Sequence, residues 1–85
     1  MSSIYEIKLE KNVVKFIKKQ SKEIQKRIVE VIYKLPEGDI KKLKGYSKYF
    51  RLRVGDIRII FEKENEELKI IVIDIGSRGQ IYNKY

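Results

Sequence analysis

The segment YFRLRVGDIRIIF, residues 49–61, sets arginines among apolar residues on both sides of a Gly-Asp pair. That pattern predicts a β-hairpin with a two-residue loop, glycine taking the first turn position that a type II′ turn requires. A loop at Gly55-Asp56 fixes the register: Val54 opposes Ile57, Arg53 opposes Arg58, Leu52 opposes Ile59, Arg51 opposes Ile60 and Phe50 opposes Phe61. Opposed residues share a face, so Phe50, Leu52, Val54, Ile57, Ile59 and Phe61 form one apolar surface. Arg51, Arg53 and Arg58 then lie together on the other face.

Arg53 directly across from Arg58 is a destabilising cross-strand pair. A rule broken without a packing reason points to a site. The alternative is that the two arginines splay into water or are neutralised by Glu62 or Asp74. Three guanidinium groups on one open sheet face, joined by Arg78 after the last strand, suit phosphate. Tyr46 and Tyr49 precede the hairpin and Tyr82 follows Arg78. Aromatic rings for stacking beside arginine forks for the backbone are what single-stranded RNA binding uses. Tyr82 tucked against the sheet edge is the alternative for that residue.

The rest of the chain supplies what the hairpin packs on. IYEIKL (4–9) alternates as a first strand. NVVKFIKK follows as a helix, with Asn12 the expected N-cap and Val13, Phe16 and Ile17 on one stripe. A second helix starts at Ser21 and carries Ile24, Ile28, Val31, Ile32 and Leu35 at helical spacing until Pro36. Lys15, Lys18, Lys19, Lys22 and Lys26 form the outer face of this helical hairpin, a solvated surface that could also brush an RNA backbone. Residues 41–49 read as a basic linker. LKIIVIDIG (68–76), nearly continuously apolar, reads as a central strand after a polar loop at 63–67. The expected fold is α+β, in the order β-α-α-β-β-β, two helices packed on one face of a largely antiparallel sheet. One domain over residues 1–85 accounts for the whole chain.

Composition narrows the chemistry. The chain has no cysteine and no histidine, which removes the thiolate and imidazole metal ligands and the usual near-neutral base. No metal or cofactor is expected. Twenty basic against 12 acidic residues give a net charge of +8, which favours a polyanionic partner, nucleic acid before an acidic protein. A merely lysine-rich surface is the bland reading of the same number. Lysine dominates before Tyr46, with Arg27 the exception, whereas Arg51, Arg53, Arg58 and Arg78 all fall later. Arginine's planar fork matches phosphate better than lysine does. The longest apolar run is Ile70–Ile73, too short to span a bilayer. The first residues lack a basic-then-apolar leader pattern, so the expected location is the cytoplasm, without membrane contact.

KLKGYSKYFRLRVGDIRIIFE followed by IIVIDIGSRGQIY resembles the RelE/ParE toxin superfamily. The first stretch is similar to its K-L-x-G…Y-R-x-R-x-G-x-x-R-[IV] element, and the second to its apolar strand ending in G-x-R with a tyrosine shortly after. The resemblance covers nearly all of the chain. It implies a RelE-type toxin, a ribosome-dependent mRNA endonuclease held in check by a RelB-like antitoxin. By the same resemblance Arg58, Arg78, Tyr82 and Arg53 are the catalytic residues. Arg58 is the stabiliser of the scissile phosphate, and Tyr82 stacks on a base or lies near the attacking 2′-hydroxyl. Arg51, Arg53, Tyr49 and Lys44 would grip the substrate.

Arg51 and Arg53 stand where the family often has lysine, and arginine does not act as acid or base at ordinary pH. Proton transfer then falls to Tyr82, to an arginine at the limit of its acidity, or to ribosomal groups. RNA brings its own 2′-hydroxyl nucleophile, so metal-free transesterification to a 2′,3′-cyclic phosphate is the expected reaction. The rivals are a ParE-like inhibitor of DNA gyrase with no nuclease activity and a non-catalytic RNA-binding domain on the same fold.

Overall fold

A single residue separates the first strand from the first helix. In the computed structural model, which describes residues 5–35, 37–43, 45, 48–64 and 66–77, β1 (Glu6–Leu9) leads into α1 (Lys11–Lys18) and α2 (Lys22–Tyr33). Four strands follow: β2 (Ile40–Lys42), β3 (Tyr49–Val54), β4 (Ile57–Glu64) and β5 (Lys69–Ser77). They form one sheet in the order β1-β5-β4-β3-β2, parallel between β1 and β5 and antiparallel elsewhere. No helix among the described residues is long and apolar enough to cross a membrane.

The α+β class and the helices-on-sheet arrangement stand as expected, with one strand more. The basic stretch expected to be a linker opens with β2, which pairs Ile40 with Leu52, Lys41 with Arg51 and Lys42 with Phe50. Backbone bonds from Arg53 N to the Asp39 carbonyl (3.1 Å) and from Leu43 N to the Tyr49 carbonyl (2.9 Å) prolong the pairing at both ends. A three-residue strand has no periodicity to read; it forms because β3 offers it an edge. Its two lysines suit an edge, since charge there discourages pairing with another chain.

The hairpin register is the predicted one at all five pairs. Gly55 takes φ +58° while Asp56 stays out of the positive-φ region, the combination of a type II′ turn. Phe50 and Phe61, opposed as expected, stack with ring centroids 5.5 Å apart. Leu52, Val54, Ile59 and Phe61 join Ile70, Val72 and Ile75 beneath Val13 and Ile17 of α1, Ile28 and Ile32 of α2, and Leu35 just beyond it. Each buried aliphatic or aromatic side chain there contributes roughly 1.5–3 kcal/mol, so this interface holds the two layers together. Lys15, Lys18, Lys19, Lys22 and Lys26 are all exposed, as the helical stripes require.

Ser21 caps α2, its Oγ accepting from Ile24 N at 3.3 Å. Asn12 does not cap α1. The N-cap is Glu10, without a side-chain bond, so Asn12 falls inside the first turn. Its Nδ2 instead donates to the Ile73 carbonyl (3.1 Å) and to Asp74 Oδ1 (3.3 Å). The cause is the abrupt strand-to-helix passage. β1 leaves β5 after Leu9 opposite Val72, Glu10 N still bonds the Val72 carbonyl (3.1 Å), and Asn12 satisfies the next carbonyl along. The helix stop expected at Pro36 lies outside the described residues; α2 ends at Tyr33 with Lys34 as C-cap.

β5 is interior, flanked by β1 and β4, as its apolar sequence predicts. It carries one irregularity. Phe61 opposes Val72 but Ile60 opposes Asp74, leaving Ile73 as an extra residue. Without this bulge, alternation from Ile70 and Val72 would turn Asp74 into the helix-facing core. With it, Ile75 faces the core and Asp74 joins the arginine face.

Candidate functional site

The sheet face away from the helices is built in rows across the strands. One row runs Asp39, Arg53, Arg58, Gly76; the next runs Lys41, Arg51, Ile60, Asp74; a third runs Tyr49, Glu62, Ile71, Lys8. Arg51, Arg53 and Arg58 therefore share one surface, as the register argument predicts, and Tyr49 lies on it too. The structure adds Lys41 beside Arg51 and Asp39 beside Arg53, both brought in by β2. Sequence reasoning missed them because β2 itself was not foreseen.

The face is not uniformly open. Arg53 is exposed and Arg51 half-buried, but Arg58 is only 5 % exposed and Asp74 7 %. Ile60, which lies between them on the same face and outside the helix-facing cluster, is fully buried. The expectation of three arginines on open sheet thus holds at Arg53 and fails at Arg58. The Arg58 guanidinium turns back on its own hairpin, Nη1 donating to the Gly55 carbonyl at 2.9 Å and to the Ile57 carbonyl at 3.4 Å. Such bonds from a charged donor hold the side chain near the turn. Its cross-strand neighbour Gly76 has no side chain to crowd it.

Arg53 has found a partner that neither Glu62 nor Asp74 provides. Its Nε lies 3.3 Å from Asp39 Oδ2, with both side chains about half exposed. The Arg53–Arg58 opposition is real, but it is offset by this carboxylate on the neighbouring strand. Asp74 is held elsewhere, its Oδ1 accepting from Ile75 N (2.9 Å) and Asn12 Nδ2. Among the described residues no group of three or more carboxylates converges in a way that could hold a metal ion. The catalytic candidates Arg78 and Tyr82, the substrate candidate Lys44, and Tyr46 lie outside the described residues.

The described residues thus form a two-helix hairpin on one face of a five-stranded sheet, with arginines gathered on the other. Residues 4–82 match the family model described as the ParE toxin of type II toxin–antitoxin systems. The chain is 35% identical over 83 residues to Toxin RelE3 of Methanocaldococcus jannaschii, an alignment covering 88% of this chain and 92% of that one. Among solved structures it resembles the toxin in the archaeal RelE–RelB complex from Pyrococcus horikoshii OT3 at a TM-score of 0.77 and 26% identity, covering 92% of this chain and 99% of the other. It resembles the RelB–RelE antitoxin–toxin complex from Methanococcus jannaschii at a TM-score of 0.74 and 33% identity, covering 92% and 98%. The chain belongs to the RelE/ParE family of type II toxins and is of the RelE type.

Proposed function

We propose that this toxin is a ribosome-dependent endoribonuclease that cleaves mRNA and so stops translation. The observation that carries the reading is the shared face of Tyr49, Arg51, Arg53 and Arg58, with Lys41 extending it. Such a face offers charge for successive phosphates and an aromatic ring for a base.

The reaction is attack of a 2′-oxygen on the adjacent phosphorus, forming the P–O2′ bond and breaking the P–O5′ bond. The products are a 2′,3′-cyclic phosphate and a 5′-hydroxyl. Charge accumulates on the non-bridging oxygens, where Arg58 and Arg78 stabilise it. Arg51, Arg53, Tyr49 and Lys44 bind the strand. The arginines stay protonated and move no proton. We assign proton transfer to Tyr82, with ribosomal groups as the other source. The cycle uses no metal and no cofactor. To reach the phosphate, Arg58 must exchange its bonds to the hairpin carbonyls for phosphate oxygens, an exchange of neutral acceptors for charged ones.

The archaeal relatives were solved as complexes of RelE with RelB. We infer a RelB-like antitoxin as this chain's partner and the cytoplasm, where ribosomes are, as its place of action. Carboxylates of such a partner over Arg53 would exclude RNA.

The match to a ParE model favours one other reading, a gyrase inhibitor that cuts nothing. One experiment separates the two. The purified chain is added to a translation extract with a defined mRNA and, in parallel, to a gyrase supercoiling reaction. Site-specific mRNA cuts that appear only with ribosomes support the nuclease; loss of supercoiling with intact mRNA supports the rival.

A further inference from the structure

The ion pair between Asp39 and Arg53 has an unusual shape for a neutralising contact. Asp39 Oδ2 approaches the inner nitrogen Nε at 3.3 Å, the only ion pair of the Arg53 side chain among the described residues. A guanidinium carries one N–H on Nε and four on its terminal nitrogens. A carboxylate that blocked the group would lie across two of those nitrogens, as in a bidentate pair. Here the approach is to Nε, on a side chain that stays about half exposed.

The turn that delivers Asp39 is closely packed. Gly38 sits at φ +134°, and a Cβ there would come within 2.9 Å of Leu52 Cδ1. The turn is thus pressed onto the buried residue next to Arg53. The backbone bond from Arg53 N to the Asp39 carbonyl holds the two residues in register.

We propose that Asp39 is a positioning residue for Arg53: it holds Nε, fixes the plane of the guanidinium and presents the terminal nitrogens to a phosphate of single-stranded RNA. Its charge also offsets the opposition of Arg53 and Arg58 on the neighbouring strand. The inference rests on the endoribonuclease reading for its ligand, though not for the contact itself.

The test uses the full chain and a 2′-O-methylated single-stranded RNA oligonucleotide, which can bind but cannot be cut, at low salt. Asp39→Ala should weaken binding about threefold, the scale of an exposed ion pair. Asp39→Glu keeps the carboxylate charge and should retain most of the affinity. In an Arg53→Ala background, Asp39→Ala should change nothing further, because its effect passes through Arg53. Tighter binding by Asp39→Ala would make the carboxylate a competitor and overturn the proposal. So would an equal loss in the Arg53→Ala background. A second readout does not need RNA: the NMR signal of the Arg53 Nε–H, followed while tripolyphosphate is added. A signal that stays protected with the anion bound supports positioning, and one that collapses as the anion binds refutes it. If the chain ignores RNA while this signal behaves as described, the functional reading fails and the positioning role survives.

Discussion

Arg58 combines deep burial with a proposed catalytic duty, so replacing it should produce two separable losses. The first is structural. Arg58→Ala removes the 2.9 Å bond to the Gly55 carbonyl and the weaker 3.4 Å contact to the Ile57 carbonyl. Hydrogen bonds from a charged group contribute roughly 1.5–3 kcal/mol, and the longer contact lies near the limit of geometry that counts. Against this, the opposition to Arg53 disappears, which returns about 0.2–1 kcal/mol. The Gly55 carbonyl sits at an exposed turn where water can replace the guanidinium. The net loss should be about 1–2 kcal/mol, or roughly 5–15 °C in melting temperature for a chain of this size. The second loss is chemical, a fall in ribosome-dependent cleavage of about a hundredfold or more, typical for one charge stabiliser. Arg58→Met separates the two, since it keeps an apolar stem without the charge. It should recover part of the stability and none of the cleavage. Urea denaturation and single-turnover cleavage, measured well below the melting temperature of each variant, give both numbers. If Arg58→Met cuts mRNA within a few-fold of the native chain, Arg58 is a structural clasp for the hairpin and the mechanism proposed here is wrong.

Cleavage should persist in EDTA on intact ribosomes and leave cyclic phosphate and 5′-hydroxyl ends; 5′-phosphate ends would refute the transesterification. Gly38→Ala should lower stability by about 1–3 kcal/mol in urea titration, because it strains a φ of +134° and drives a methyl against Leu52. Leu68, the only non-glycine residue at positive φ among the described ones (φ +50°), is exposed. Leu68→Asn should therefore raise the urea midpoint by an amount worth about 0.5–1 kcal/mol, and an unchanged midpoint would mean the turn carries no such strain. Lys41→Ala should raise the KM for mRNA more than Lys15→Ala or Lys22→Ala, which lie on the far helical face; equal effects would indicate diffuse charge attraction in place of a defined site.

Periodicity alone determined the two helical stripes, the apolar strand and the hairpin with its register, down to Arg53 opposite Arg58. These are local matters: a turn glycine and a period of two assign every side chain in the hairpin to a face, whatever surrounds it. The absence of histidine and cysteine likewise shows in the sequence alone that no side chain here offers an imidazole or a thiolate. The tertiary structure decided the rest, and each instance depends on a neighbour distant in sequence. β2 is too short to carry a pattern and exists through the edge that β3 offers. Its arrival gives Arg53 a carboxylate, Asp39, that lies outside the hairpin altogether. Asn12 looked like a cap because it directly precedes the apolar stripe of α1; the helix begins before it, at Lys11, so its side chain reaches β5. A bulge at Ile73, invisible in an unbroken apolar run, turns Asp74 from the core to the arginine face. Alternation told which face Arg58 occupies but not how deeply it is covered, because burial on a sheet face is set by everything packed around it.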